Sequence, residues 1–102
     1  MMQDPNLVPE CRTGLCQVVD LQTLDLTACS SDSDCRIRTR DCCECGGGLE
    51  PEDIIAIRVD AESAYSALAC DPGTACPECA PTYPPSVIAT CSSGRCTARW
   101  SR

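Results

Sequence analysis

The stretch that decides the fold is Asp41-Cys42-Cys43-Glu44-Cys45-Gly46-Gly47-Gly48. Cysteines packed this closely hold a metal, carry redox chemistry or staple the chain. Composition separates these readings. The chain has 102 residues, enough for one domain. Only 17 of them are Leu, Ile, Val or Phe, and the formal net charge is -7. Chains with less than roughly 20% of those residues and a high net charge usually stay disordered. There is no Phe, and Trp100, Tyr65 and Tyr83 are the only aromatics. Ordering the backbone costs about 1–2 kcal/mol per residue, more than so small a core offsets. The 12 cysteines fill the gap. Their density exceeds the ~8–10% that marks a disulfide scaffold, and their even number allows full pairing. Each bridge contributes about 2–4 kcal/mol, mostly by restricting the unfolded chain. Cys11, Cys16, Cys29, Cys35, Cys42, Cys43, Cys45, Cys70, Cys76, Cys79, Cys91 and Cys96 are therefore all read as disulfide cysteines.

Just before the cysteine-rich stretch, "CRIRTRD" alternates strictly. Cys35, Ile37 and Thr39 fall on one face of a strand, Arg36, Arg38 and Arg40 on the other. The expected arginine face is solvated and discourages edge pairing; its alternative use is an anion or an acidic partner. Neighbouring residues of an extended chain point to opposite faces, and a Cys42–Cys43 bond would close a strained ring. Each of the two should take a different, distant partner. Spacing does not choose the map, since six bridges allow about 10,395 connectivities. Gly46-Gly47-Gly48 is expected to form a flexible turn.

After that turn, "EDIIAIRV" mixes strand and helix signals. The β-branched run favours a strand to about Val59. A helix capped by Asp60 follows through "AESAYSALAC", with Ala61, Ala64, Tyr65 and Leu68 on its inner face. One helix over residues 51–69 is the alternative. "CDPGTACPECAPTYPPS" holds five of the eight prolines and is expected to be loop. Two further segments, "CRTGLC" and "CSSGRC", share the spacing C-x-x-G-x-C, which suits hairpins with a left-handed Gly. "LQTLDLTACSSDSDC" reads as loop with a little extended structure and a turn at residues 30–34. Residues 1–10 read as a flexible terminus, and residues 11–102 as one stapled domain.

The chemistry narrows by residue type. All eight basic residues are Arg, with no Lys and no His. Ser-His and Cys-His catalytic pairs are thereby excluded. The acidic balance argues against nucleic acid and anionic membranes as partners. Cys42, Cys45, Cys76 and Cys79 form two C-x-x-C pairs that would suit a structural zinc, but the other eight cysteines ask for oxidation, so no cofactor is expected. "CPEC" looks like a thioredoxin-type loop, yet the prolines after it block the helix that would lower the thiol pKa. Asp32 and Asp34 lack the Gly and distant Glu of a calcium loop and read as turn residues. "CAPTYPPSVIATC" resembles the Thr-x-x-Pro-Pro core of Bowman–Birk inhibitor loops. It departs from them in Tyr83-Pro84 and in its late closing Cys. Arg95 in "SSGRC" is a second exposed basic candidate. Arg36, Arg38, Arg40, Tyr83 and Arg95 thus make up the expected interaction surface for a protein or surface partner.

"SDSDCRIRTRDCCECGGG", "CPECAPTYPP" and "CSSGRCTAR" together resemble small cysteine-rich exported proteins and lipoproteins of myxobacteria-like high-GC bacteria. The likeness covers roughly residues 29–99. D-C-C-x-C and the terminal G-R-C are its most specific parts; "CRTGLC" lies outside it. It implies export and a disulfide-bonded α+β domain, and it carries over no active residues.

The expectation is an α+β domain: an antiparallel sheet of about four strands, one short helix, and cystines in place of a large core. Its expected role is an exported binding or structural module, monomeric and without a catalytic site. A protease inhibitor with a disulfide-framed loop is the alternative, and a structural zinc module the second. Disulfides persist in oxidising compartments, which places it outside the cell or in the periplasm. "MMQDPNLVPE" has no basic and no apolar region of a leader. A mature form is expected, with Met1 added for expression, free or anchored as a lipoprotein.

Overall fold

A computed structural model of the chain describes residues 6–12, 14–45, 53–70, 73–79 and 82–100; of residues 11 and 12 it describes the backbone alone. The expected triple-glycine turn lies outside these residues. The expected sheet of four strands is replaced by three separate antiparallel hairpins. Strands β1 (Leu7–Arg12) and β2 (Leu15–Asp20) pair first. Then come β3 (Cys35–Thr39) and β4 (Ile54–Arg58), and last β5 (Val87–Ser92) and β6 (Arg95–Trp100). One helix, α1 (Glu62–Ala69), follows β4. Sequence reading placed β3, β4 and the β5–β6 hairpin correctly, and it placed the helix after the strand rather than through it.

The β3–β4 hairpin is the central layer, and it is covered on both faces. In its register Arg36 lies opposite Ile57 and Arg38 opposite Ile55. This face carries the larger core, in which Ile55 and Ile57 pack with Val8, Leu21, Leu26, Ala61 and Tyr65. The other face carries Cys35 and Ala56, which pack with Cys96; β3 lies against β5 there, and β4 against β6. An apolar run reads as a strand buried on both sides, and "IIAI" at Ile54, Ile55, Ala56 and Ile57 is such a run. Double coverage explains why the hairpins stack rather than join edge to edge. A single sheet of this width leaves one of those faces bare.

The turns follow local chemistry. Ser93 and Gly94 both have positive φ, 52° and 80°, as a two-residue hairpin turn matching strand twist requires. Gly14, at φ 82°, closes the first hairpin. Both C-x-x-G-x-C segments are thus hairpins, with Cys11 opposite Cys16 and Cys91 opposite Cys96.

Four expectations are corrected. Residues 1–10 are not all loose terminus, because β1 starts at Leu7 and Val8 sits in the core at 1% exposure. The segment from Leu21 has the little extended structure expected, a bridge from Ala28 to Arg95, and the expected turn at Asp32–Asp34, but the rest is not plain loop: it forms short 3-10 turns at Leu21–Thr23 and Asp25–Thr27. Leu21 and Leu26 point inward from it, and the buried Thr27 hydroxyl donates to the Leu21 carbonyl at 2.6 Å. Asp60 does not cap α1: Ala61 holds that position with no side-chain bond, while Asp60 pairs with Arg58 at 2.8 Å. Ala64 is exposed. The inner face of α1 consists of Ala61, Tyr65, Leu68 and Ala69, because the helix is short and rolled toward β1.

Candidate functional site

The arginine stripe of β3 is densely bonded. It faces α1 instead of solvent. Arg38 has no exposed surface. An arginine offers five N–H donors, and all five are used here. Nε and Nη2 donate to the two carboxylate oxygens of Glu62 at 3.0 and 2.9 Å. Nη1 donates to the carbonyls of Thr39 and Asp41 at 2.9 and 2.8 Å, and Nη2 to that of Cys42 at 3.3 Å. The guanidinium carbon lies 4.6 Å from the Tyr65 ring centroid, within cation–π range. Arg38 therefore ties β3, α1 and the bend that carries Cys42 and Cys43 into one unit. A buried charge is tolerated when it is paired and fully bonded.

Arg36 extends this network toward the surface. Its guanidinium pairs with Glu62 at 2.9 Å and with Glu44. Glu44 accepts a hydrogen bond from the Tyr83 hydroxyl. That hydroxyl in turn accepts the backbone N–H of Thr39 at 3.1 Å. Burial, then the bond to Glu44, pushes the Tyr83 phenol above its usual range. The Tyr65 hydroxyl donates to the Arg40 carbonyl at 2.7 Å. Burial pushes its pKa up to about 12, with the Arg38 charge opposing.

The remaining candidates are also engaged. Arg40 donates to the Leu7 carbonyl at 2.5 Å, which anchors β1. Arg95 donates to the Leu24 carbonyl at 2.6 Å and to the Thr27 hydroxyl at 3.2 Å. The five residues expected to form one interaction surface are thus dispersed. Arg36, Arg38 and Tyr83 share a network, Arg40 and Arg95 each bind another segment, and buried Arg38 is out of a partner's reach. The sequence reading missed Glu44 and Glu62. A carboxylate in the first turn of a helix and one between two cysteines were the available signals, but only the fold brings them to the same arginines.

The bridges form two groups. Cys29–Cys91 and Cys35–Cys96 join the 3-10 segment and β3 to the β5–β6 hairpin. Cys42–Cys70, Cys43–Cys76 and Cys45–Cys79 join the bend after β3 to the end of α1 and to the segment beyond. Cys16 is also disulfide-bonded, and no cysteine among the described residues is free. Cys42 and Cys43 take separate distant partners, as expected, but from a bend rather than from opposite faces of a strand, with their sulfurs 3.9 Å apart. The four cysteines of the zinc reading are spread over three bridges. The two sulfurs of "CPEC" bond to Cys43 and Cys45 instead of to each other. The inhibitor-like stretch from Cys79 to Cys91 is not closed by its own bridge, for those two sulfurs bond to Cys45 and Cys29.

The acidic turn is structural as well. Asp34 accepts the backbone N–H groups of Ser30 and Ser31 at 2.8 and 3.0 Å, which hold its carboxyl below the usual range. Asp32 accepts the N–H of Cys91 at 2.7 Å. A shallow depression beside this turn is lined by Ser30, Asp34, Arg58, Val59 and Asp60. Among the described residues no helix is long and apolar enough to cross a membrane. Comparison with protein-family models, with curated proteins and with solved structures finds no match to the chain.

Proposed function

We propose that the chain is an exported, disulfide-held binding or structural module whose product is a rigid shape rather than a reaction. The observation that carries this reading is the bridge map. Five described cystines connect the layers and bind the irregular segment of residues 73–79 to the bend after β3. Such cross-links persist outside the reducing cytoplasm, which supports an extracellular or periplasmic setting, free or lipid-anchored. The commitment of Arg36, Arg38, Tyr65 and Tyr83 to internal partners supports a scaffold role. A partner is then met by the outer surface, and with a formal net charge of -7 on the chain a neutral or cationic protein suits it better than an anionic one.

Intact mass tests the reading. Protein made in an oxidising compartment is alkylated without reductant and without chelator. The expected product carries no label and no metal, and weighs about 12 Da less than the reduced chain, two hydrogens for each of six bridges. A folded product with several labelled thiols overturns the proposal. So does a metal adduct that is lost together with the fold.

A further inference from the structure

Two bridges of the second group meet at a single point. The sulfurs of Cys42, Cys43 and Cys76 all lie within 4.8 Å of one another, and Cys42 Sγ is 3.9 Å from Cys43 Sγ. Cys43 and Cys76 are bonded to each other, whereas Cys42 is bonded to Cys70. Cys76 is exposed and sits on the irregular segment of residues 73–79, where an outside thiol can reach it. Cys70 is the C-cap residue of α1. A disulfide is exchanged when a thiolate attacks one of its sulfurs, at a rate set by thiolate fraction and access.

We propose that Cys42–Cys70 and Cys43–Cys76 form a thiol–disulfide exchange site that an external dithiol switches. The dithiol supplies two electrons and becomes a disulfide. The Cys43–Cys76 bond breaks and leaves two thiols. Cys76, as its thiolate, then attacks Cys42 Sγ. The Cys42–Cys76 bond forms, the Cys42–Cys70 bond breaks, and Cys70 leaves as a thiolate that takes a proton from solvent in place of the one Cys76 gave up. This second step consumes no electrons. Cys43 is the poorer attacker although it lies as close, because a bond between adjacent residues closes a strained ring. The exchange carries the free thiol from the exposed segment to the end of α1 and removes the covalent tie between the helix and the bend, leaving Arg38 to link them through Glu62. Cys29, Cys35 and Cys96 are equally close together, but Cys35 and Cys96 are buried, at 8% and 0% exposure, so an outside thiol has no path to their bond.

The test is partial reduction of the wild-type protein with a limiting water-soluble phosphine, followed by labelling with N-ethylmaleimide and peptide mapping. Phosphine cleaves disulfides in acid as well as at neutral pH, while exchange slows about tenfold for each pH unit below the thiol pKa of about 8.5. At pH 5, molecules with an open Cys43–Cys76 bond should carry labels on Cys43 and Cys76. At pH 8 the labels should appear on Cys43 and Cys70, with a Cys42–Cys76 crosslinked peptide. If Cys42 stays joined to Cys70 at pH 8 in every molecule whose Cys43–Cys76 bond is open, the exchange site is ruled out. An untreated sample labelled in parallel tests the oxidised scaffold separately, since that reading requires it to take up no label.

Discussion

The two groups of bridges use the same bond in opposite surroundings. Cys35–Cys96 is sealed between two β layers, where Ala56, Ala89 and Ala98 pack around it. Cys45–Cys79 joins two exposed residues, neither of them in a helix or strand. The inner group belongs to a core that happens to contain sulfur. The outer group stands in for a core, since the described residues 73–79 are all exposed and have no regular structure. A bridge in a packed layer restricts the unfolded chain and also fills volume in the folded one. A bridge at the periphery does only the first.

The largest effect should come from the inner group. Replacing Cys35 and Cys96 together by Ala removes a constraint and leaves a buried void. A loss of about 3–4 kcal/mol is expected in a denaturant titration. The same change at Cys45 and Cys79 should cost about 1–2 kcal/mol, because Cys43–Cys76 still closes nearly the same loop. Equal losses at the two sites would erase the distinction between them.

Arg38→Met comes next. It leaves Glu62 partly buried and three carbonyls without their donor, at an expected cost of about 2–3 kcal/mol. Glu62 is 43% exposed in its side chain, so water makes up part of what the pair loses. Because Arg38 links β3 to the Cys42 bend, this variant should also let the outer bridges be reduced faster while Cys35–Cys96 stays protected. Uniform acceleration at all bridges would show that the two groups unfold as one.

How far the sequence could foretell this depends on what each pattern encodes. The strict alternation of residues 35–40 and the tight turn at Ser93-Gly94 are local, and both were legible. So were the separate partners of Cys42 and Cys43, because a bond between them closes a strained ring; the opposite faces expected of a strand do not hold, since both lie in the bend after β3 with sulfurs 3.9 Å apart. Period-two alternation states that two faces differ, but not which layer covers each. The arginines were therefore assigned to water, when the first turn of α1 supplies Glu62 to neutralise them. Leu21 and Leu26 were hidden in a segment whose polar residues read as loop, because 3-10 turns carry no longer periodicity. The bridge map was closed to sequence reading, because it is set by tertiary packing.

Alkaline titration sharpens the contrast on the polar side. Tyr65 is held protonated by burial, with its pKa near 12, against about 10 in the unfolded chain. A raised pKa contributes stability that is fully present below pH 10 and is lost as pH rises toward 12. Tyrosinate absorbance at 295 nm should therefore lag in the native protein and appear near pH 10 in urea. Native absorbance already developed at pH 10 would contradict the burial of both phenols.

Smaller shifts are expected at the two ends of the Tyr83 contact. Tyr83→Phe leaves the Thr39 N–H without its partner and takes one of two from Glu44, which keeps Arg36; it should cost about 1 kcal/mol, with Cys45–Cys79 still intact by mass. Thr39→Val should be neutral or stabilising by up to about 1 kcal/mol. The Thr39 hydroxyl is buried with no hydrogen-bond partner, and a methyl of similar size removes that penalty. A clear loss of thermal stability in this variant would mean that the hydroxyl has a partner in solution.

The pairing of Arg36 and Arg38 with Glu44 and Glu62 also bears on how whole molecules behave toward each other. Those charges cancel within the fold, and the formal net charge of -7 that remains is what a neighbour at a distance meets. Repulsion of this kind reaches about 10 Å at 0.1 M salt and about 30 Å at 0.01 M. The protein should therefore stay dispersed at high concentration in dilute buffer, and divalent cations or concentrated salt should draw the copies together.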